Sequence, residues 1–102
     1  MPKYNNKKVE IDGYVFDSKA EARRYQELVL LQRNGDISEL EIHPKYKIVV
    51  NKRNICTYIA DFRYKESGKL ITEDVKGVKT SVYQLKKKLM YACYQIGIHE
   101  VL

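Results

Sequence analysis

At 102 residues and 44% hydrophobic content, the chain is long enough for one packed domain and too apolar to be disordered. Lys and Arg total 19 against 13 for Asp and Glu, a formal net charge of +6, and the pI is about 9.3, the electrostatic footprint of a nucleic-acid binder. No apolar run approaches the ~20 residues of a membrane span, and no signal-peptide core follows Met1-Pro2-Lys3-Tyr4, so a cytoplasmic protein without a membrane partner is expected. Cys56 and Cys93 form no CxxC pair and read as free thiols, and His43 and His99, without partners at metal-ligand spacing, read as structural or surface residues.

In chain order, residues 1–8 read as a flexible basic segment, and Val9-Glu10-Ile11, an Asp12-Gly13 turn and Tyr14-Val15-Phe16 predict a small hairpin. Asp17-Ser18-Lys19-Ala20-Glu21 opens a helix that runs to about Arg33, where Asn34-Gly35 ends it. Ser18 and Glu21 form a capping box in which Glu21 reaches back to the N-cap amide. At about 100° per residue Glu21 also lies about 20° from Leu28 and about 40° from Tyr25, on the stripe expected to be buried. Capping and delivery of a carboxylate to a site on the sheet are compatible roles. Ile37 to Val50 reads as extended, with Pro44 either interrupting the strand or placing it at an edge.

The next segment carries the chemistry. Two β-rich runs, Thr57 to Tyr64 and Leu70 to Val75, flank a two-residue turn at Ser67-Gly68. If Glu66 pairs with Lys69, Asp61 falls opposite Asp74 and Ile59 opposite Lys76, so Asp61, Asp74 and Lys76 share a sheet face while Glu73 points away with Ile71 and Val75. Opposed carboxylates repel at a cost of up to ~1 kcal/mol. A divalent cation would offset that, and Mg²⁺ binds through one or two carboxylates plus substrate phosphate. Lys76 is placed to steady a water nucleophile or the charge that develops on phosphorus. The plain alternative is a solvated strand face with an ordinary Asp-Lys pair.

A second helix is predicted from about Ser81 to Ile96, ended by Gly97, with Val82, Leu85, Leu89, Ala92, Cys93 and Ile96 as its core stripe. Beside that stripe lie Tyr83, Lys87 and Tyr94, with Lys86 nearer to it; Tyr83, Lys86 and Lys87, with Lys79 just before the helix, read as candidates to grip a phosphate backbone and stack on bases or sugars, a solvated lysine face with tyrosines half buried at its edge being the alternative. Ile98 to Leu102 reads as a final short strand. The expected architecture is a single α/β domain, a mixed β-sheet flanked by helices.

Ser18-x-x-Glu21 at the head of the first helix, Ala60-Asp61-Phe62 on a strand and Asp74-Val75-Lys76-Gly77 closing the next resemble the PD-(D/E)XK nuclease superfamily. The chain is similar, over about residues 4–95, to small phage and prophage proteins of that fold, with Tyr4-Asn5-Asn6-Lys7-Lys8, Phe16-Asp17-Ser18-Lys19-Ala20-Glu21 and Glu73-Asp74-Val75-Lys76-Gly77 as matching segments. The resemblance implies a restriction-endonuclease-like core in which Asp61 and Asp74 bind the metal, Glu21 completes or supports its shell, the Val75 carbonyl is a further ligand and Lys76 orients the attacking water. Ala60 stands in place of the superfamily's proline, and His43 stands where relatives often carry glutamine. Glu73 would replace Asp74 as ligand if the strand bulged. The expected function is a Mg²⁺-dependent endonuclease, with Mn²⁺ able to substitute, that cuts DNA in phage recombination or replication, with branched DNA as a candidate substrate and a homodimer as a candidate assembly. The alternatives are a non-cleaving DNA-binding accessory protein and an interaction or inhibitor protein.

Overall fold

The computed structural model describes residues 7–102, so most of the expected flexible segment, residues 1–6, lies outside the described residues. Val9–Ile11 (β1) and Tyr14–Phe16 (β2) form the expected hairpin, with Asp12 and Gly13 at φ 55° and 82°, the positive values a tight turn of this hand requires. Helix α1, Lys19–Arg33, starts where Ser18 Oγ accepts the Glu21 amide at 3.1 Å. Glu21 reaches one residue further back than expected: its Oε1 accepts from the Asp17 amide at 2.9 Å rather than from Ser18. Asn34 caps the other end and Gly35, at φ 83°, turns the chain away.

The extended stretches break where the sequence reading continued them. Ile37 to Val50 divides at His43-Pro44 into Ser38–Ile42 (β3) and Lys45–Val50 (β4). The run expected over Thr57 to Tyr64 divides at Ala60-Asp61 into Arg53–Ile59 (β5) and Phe62–Glu66 (β6). The two breaks face each other, tied by His43 N–H to Asp61 O at 2.9 Å and Ala60 N–H to Pro44 O at 3.1 Å. A long two-stranded ribbon is thereby bent in the middle. One half, β3–β6, belongs to the main sheet, and the other, β4–β5, folds off it around a turn at Asn51-Lys52. Ile59 consequently pairs with Lys45, not with Lys76 as expected.

Lys69–Val75 (β7) pairs with β6 in the expected register, Glu66 with Lys69 through Phe62 with Glu73, about Ser67 and Gly68 at φ 51° and 77°. The last strand, Ile98–Val101 (β8), runs parallel to β7, so the sheet of order β3-β6-β7-β8 is mixed. One face of this α/β fold packs Phe62, Tyr64, Ile71 and Val75 against α1 and the β1–β2 hairpin. The opposite face meets the β4–β5 ribbon, where the Tyr46 hydroxyl bonds Thr72 Oγ1 at 3.0 Å. A second core joins Tyr46, Ile48, Tyr58 and Ala60 to Ile98 and to helix α2, Ser81–Tyr94.

Helix α2 buries a different face from the one expected. Tyr83 and Met90 go inward with Leu89, Cys93 and Ile96 partly covered, whereas Val82 and Leu85 are 62% and 58% exposed. The long Tyr83 and Met90 side chains fill the space under the bent ribbon, and the Tyr83 hydroxyl has a partner there, Glu100 Oε2 at 2.7 Å. The helix also ends earlier than Ile96: Gln95, at φ 57°, takes the left-handed cap that Gly97 was expected to supply. Among the described residues, no helix is long and apolar enough to cross a membrane.

Candidate metal centre

The bend in the ribbon positions the acids. The β6–β7 ladder ends at Phe62 with Glu73, and the next pair in that register, Asp61 and Asp74, is held by side chains instead. Asp74 Oδ1 accepts the Asp61 amide at 2.8 Å, and Asp61 Oδ2 accepts the Val75 amide at 2.7 Å. A bond from a backbone amide of the opposite strand to each carboxyl group replaces the ladder bonds that the bend removes. Asp74 is almost completely buried, and its Oδ2 accepts the Tyr58 hydroxyl. Lys76 Nζ lies 4.0 Å from the same oxygen and 4.4 Å above the centre of the Tyr83 ring.

Glu21 arrives from α1. Although it sits in the first turn, it is buried, as its place on the Tyr25 and Leu28 stripe implied. Its Oε2 lies 2.9 Å from His43 Nε2. One ligand atom from each of Glu21, His43 and Asp61 falls within 4.8 Å of the others. Glu21, Asp61, Val75 and Lys76 line one cavity of about 390 Å³, bounded also by Ser18 and Gly77. Asp74 stands behind Asp61, outside that wall.

The electrostatics of the group are those of unneutralised acids. Burial, then the charges of Asp74 and Glu21, push the Asp61 carboxyl up to about 8, against the pull of the Val75 amide. Burial also raises Asp74, opposed by the Tyr58 hydroxyl and Lys76. Oxygen donors from separate elements, crowded in a cavity where their negative charges are disfavoured, suit a hard divalent cation. The donor set therefore fits Mg²⁺ or Mn²⁺.

Glu73 is occupied elsewhere. On the opposite face of β7 it is fully buried, bound by Arg24 Nε at 2.7 Å and the second guanidinium nitrogen at 2.9 Å, and by the Tyr64 hydroxyl at 2.6 Å. The ladders on both sides of β7 run without a bulge, so Asp74, not Glu73, faces Asp61.

The expected nucleic-acid contacts are only partly free. Lys79 and Lys87 each reach Glu100 at 3.1 Å, and Lys86 Nζ meets the Thr57 carbonyl at 3.4 Å. Tyr83 was expected to offer an exposed ring for stacking; it is 6% exposed and serves the core instead, because Lys76 and Glu100 both draw it inward. Glu100 is held down at about 2 by the Tyr83 hydroxyl and, after the opposing effect of burial, by the two lysines.

Sequence reasoning set His43 aside, and it passed over Tyr58 and Glu100. Neither Tyr58 nor Glu100 has a local pattern, since each meets its partners across the fold. His43 carried two signals, its place where relatives often carry glutamine and its position just before the Pro44 break, where the chain turns back toward Asp61.

No curated protein and no solved structure matches the chain. Residues 1–99 match the sequence model of a family described as protein of unknown function (DUF1064), and the chain belongs to that family.

Proposed function

We propose that this protein is a divalent-metal-dependent endonuclease that hydrolyses DNA phosphodiester bonds. The observation that carries the reading is the convergence of Glu21 from α1, Asp61 from the ribbon bend and Asp74 with Lys76 from the end of β7. These are the positions that the resemblance to PD-(D/E)XK nucleases singles out. Glu21 and Asp61 would hold the ion at the cavity wall with the Val75 carbonyl, and Asp74, which stands behind them, would join the set once its Oδ2 exchanges the Tyr58 hydroxyl for the ion. When bound, Mg²⁺, or Mn²⁺ in its place, lowers the pKa of water and neutralises charge on the phosphate.

The chain's own residues supply the rest. Lys76 lines the cavity, and its ammonium would orient the attacking water and hydrogen-bond the charge that develops on the phosphoryl oxygens. The Tyr83 ring beneath Lys76 Nζ fixes that ammonium by a cation–π contact. The net charge of +6 supports a polyanionic substrate, and Lys79, Lys86 and Lys87 are its phosphate-contact candidates. Such contacts give affinity without sequence, so selectivity for a branched structure, two-fold cutting by a homodimer and a phage recombination or replication role in the host cytoplasm complete the proposal.

A non-cleaving DNA-binding protein is the second reading. The Tyr58 hydroxyl on Asp74 Oδ2 favours it, because that oxygen is spent within the protein. Incubating linear duplex, single-stranded, flap and four-way-junction DNA with Mg²⁺, Mn²⁺ or EDTA separates the two readings. Metal-dependent cutting, lost in Asp74→Ala, is expected. Salt-sensitive binding without cutting would favour the second reading.

A further inference from the structure

The nuclease reading draws its ligands from oxygen, yet the cluster at the bend also holds a nitrogen donor. His43 is delivered there by the backbone. Its φ of 55° lies in the left-handed region, which residues other than glycine adopt only where their surroundings hold them there. The conformation is held by the Asp61 carbonyl, which accepts the His43 amide at 2.9 Å, and by Pro44, whose carbonyl accepts the Ala60 amide at 3.1 Å. The ring rests against Phe16, with centroids 5.8 Å apart. Its Nε2 stands 2.9 Å from Glu21 Oε2, and the side chain is 34% exposed, so an ion in solution can reach it.

Two carboxylates and one imidazole within 4.8 Å make a mixed oxygen and nitrogen donor set. Mg²⁺ takes oxygen ligands and sheds its water reluctantly, whereas imidazole suits first-row transition ions. Among those, Mn²⁺ is also well served by carboxylate and water. In the ion-free fold Nε2–H donates to Glu21 Oε2; with the ring proton on Nδ1 instead, the Nε2 lone pair coordinates, and the 2.9 Å spacing suits two neighbouring ligands of one ion.

We propose that His43 Nε2 is a direct ligand of the divalent ion and makes this centre selective for Mn²⁺ over Mg²⁺. The inference rests on the metal-centre part of the nuclease reading and does not depend on cleavage.

Equilibrium titration of Mn²⁺ and Mg²⁺ into wild type, His43→Asn, His43→Gln and Asp61→Asn tests it, together with pulsed electron paramagnetic resonance of the bound Mn²⁺. Asparagine tolerates left-handed backbone, so His43→Asn keeps the bend, and thermal melting checks that each variant folds. Wild type is expected to prefer Mn²⁺ by about tenfold or more. It should also show nitrogen-14 modulation from a coordinated imidazole. Both His43 variants should lose that modulation and bind Mn²⁺ about tenfold more weakly, with Mg²⁺ affinity little changed. Equal affinities, or Mn²⁺ bound without a nitrogen signal, would overturn the role of His43. If ion binding were still lost in Asp61→Asn, the nuclease reading would survive that result. Wild type binding neither ion would overturn both, and the spectrum of wild type decides the question even if a variant fails to fold.

Discussion

Asp61 donates its backbone amide to the Asp74 carboxylate at 2.8 Å, so the two acids of the candidate centre are joined even though their charges oppose each other. The bond fixes Asp61 at the point where the ribbon bends and turns its carboxylate toward Glu21. Consequences for pH, stability and binding can be measured.

The first concerns pH. The Asp61 carboxyl is raised in the fold to about 8 from the ordinary carboxylate range, so between those values the native state holds a proton that the unfolded chain has released. Stability of the ion-free protein must therefore fall as pH rises through that window, and stay flat with respect to this group below it. Melting temperatures from pH 5 to about 8 should show the decline. Asp61→Asn, or saturating divalent ion, should reduce it.

Tyr58→Phe removes the hydroxyl that Asp74 Oδ2 accepts. A buried acceptor left unsatisfied costs about 1–3 kcal/mol, so the ion-free variant should unfold at lower urea concentration. The same oxygen is then available to an ion. Added Mn²⁺ should raise the melting temperature of the variant by more than it raises that of wild type.

Arg24 and Glu73 form a structural pair rather than part of the centre. Arg24→Ala would leave Glu73 buried and unpaired, a loss of about 3–5 kcal/mol in chemical denaturation. Replacing both residues, Arg24→Met with Glu73→Leu, should cost less than the single change, because no charge is then stranded. Metal affinity of the double variant should stay near that of wild type.

Glu100 holds Lys79 and Lys87 at 3.1 Å each. Glu100→Gln removes a negative charge and releases both ammonium groups toward phosphate. Affinity for duplex DNA should rise, and its logarithm should fall more steeply with the logarithm of salt concentration. Fluorescence anisotropy across a salt series measures both. An unchanged slope would place the DNA contact elsewhere.

Much of the site follows from local rules. Ser67-Gly68 sets the register of its hairpin, and the period of two along β7 separates Asp74 from Glu73. The periodicity of the first helix puts Glu21 inside. The bend left only a weak local trace, the strand-poor pair Ala60-Asp61 inside an otherwise β-rich run from Thr57 to Tyr64. What divides it is tertiary, the pairing of Ala60 and Asp61 with His43 and Pro44. Helix α2 misled for a related reason. Counting aliphatic residues selected Val82 and Leu85, whereas the space under the ribbon admits Tyr83 and Met90.

In the proposed reaction Lys76 and the acids act together on a phosphodiester. The most direct test of this is the single-turnover rate of DNA cleavage in Mn²⁺ by wild type and Lys76→Ala, with DNA and metal affinity measured in parallel. Wild type should cut, and Lys76→Ala should cut about 100-fold more slowly or worse while binding both ligands normally. Equal rates for the two proteins, or no cutting by a wild type that binds both DNA and ion, would contradict it.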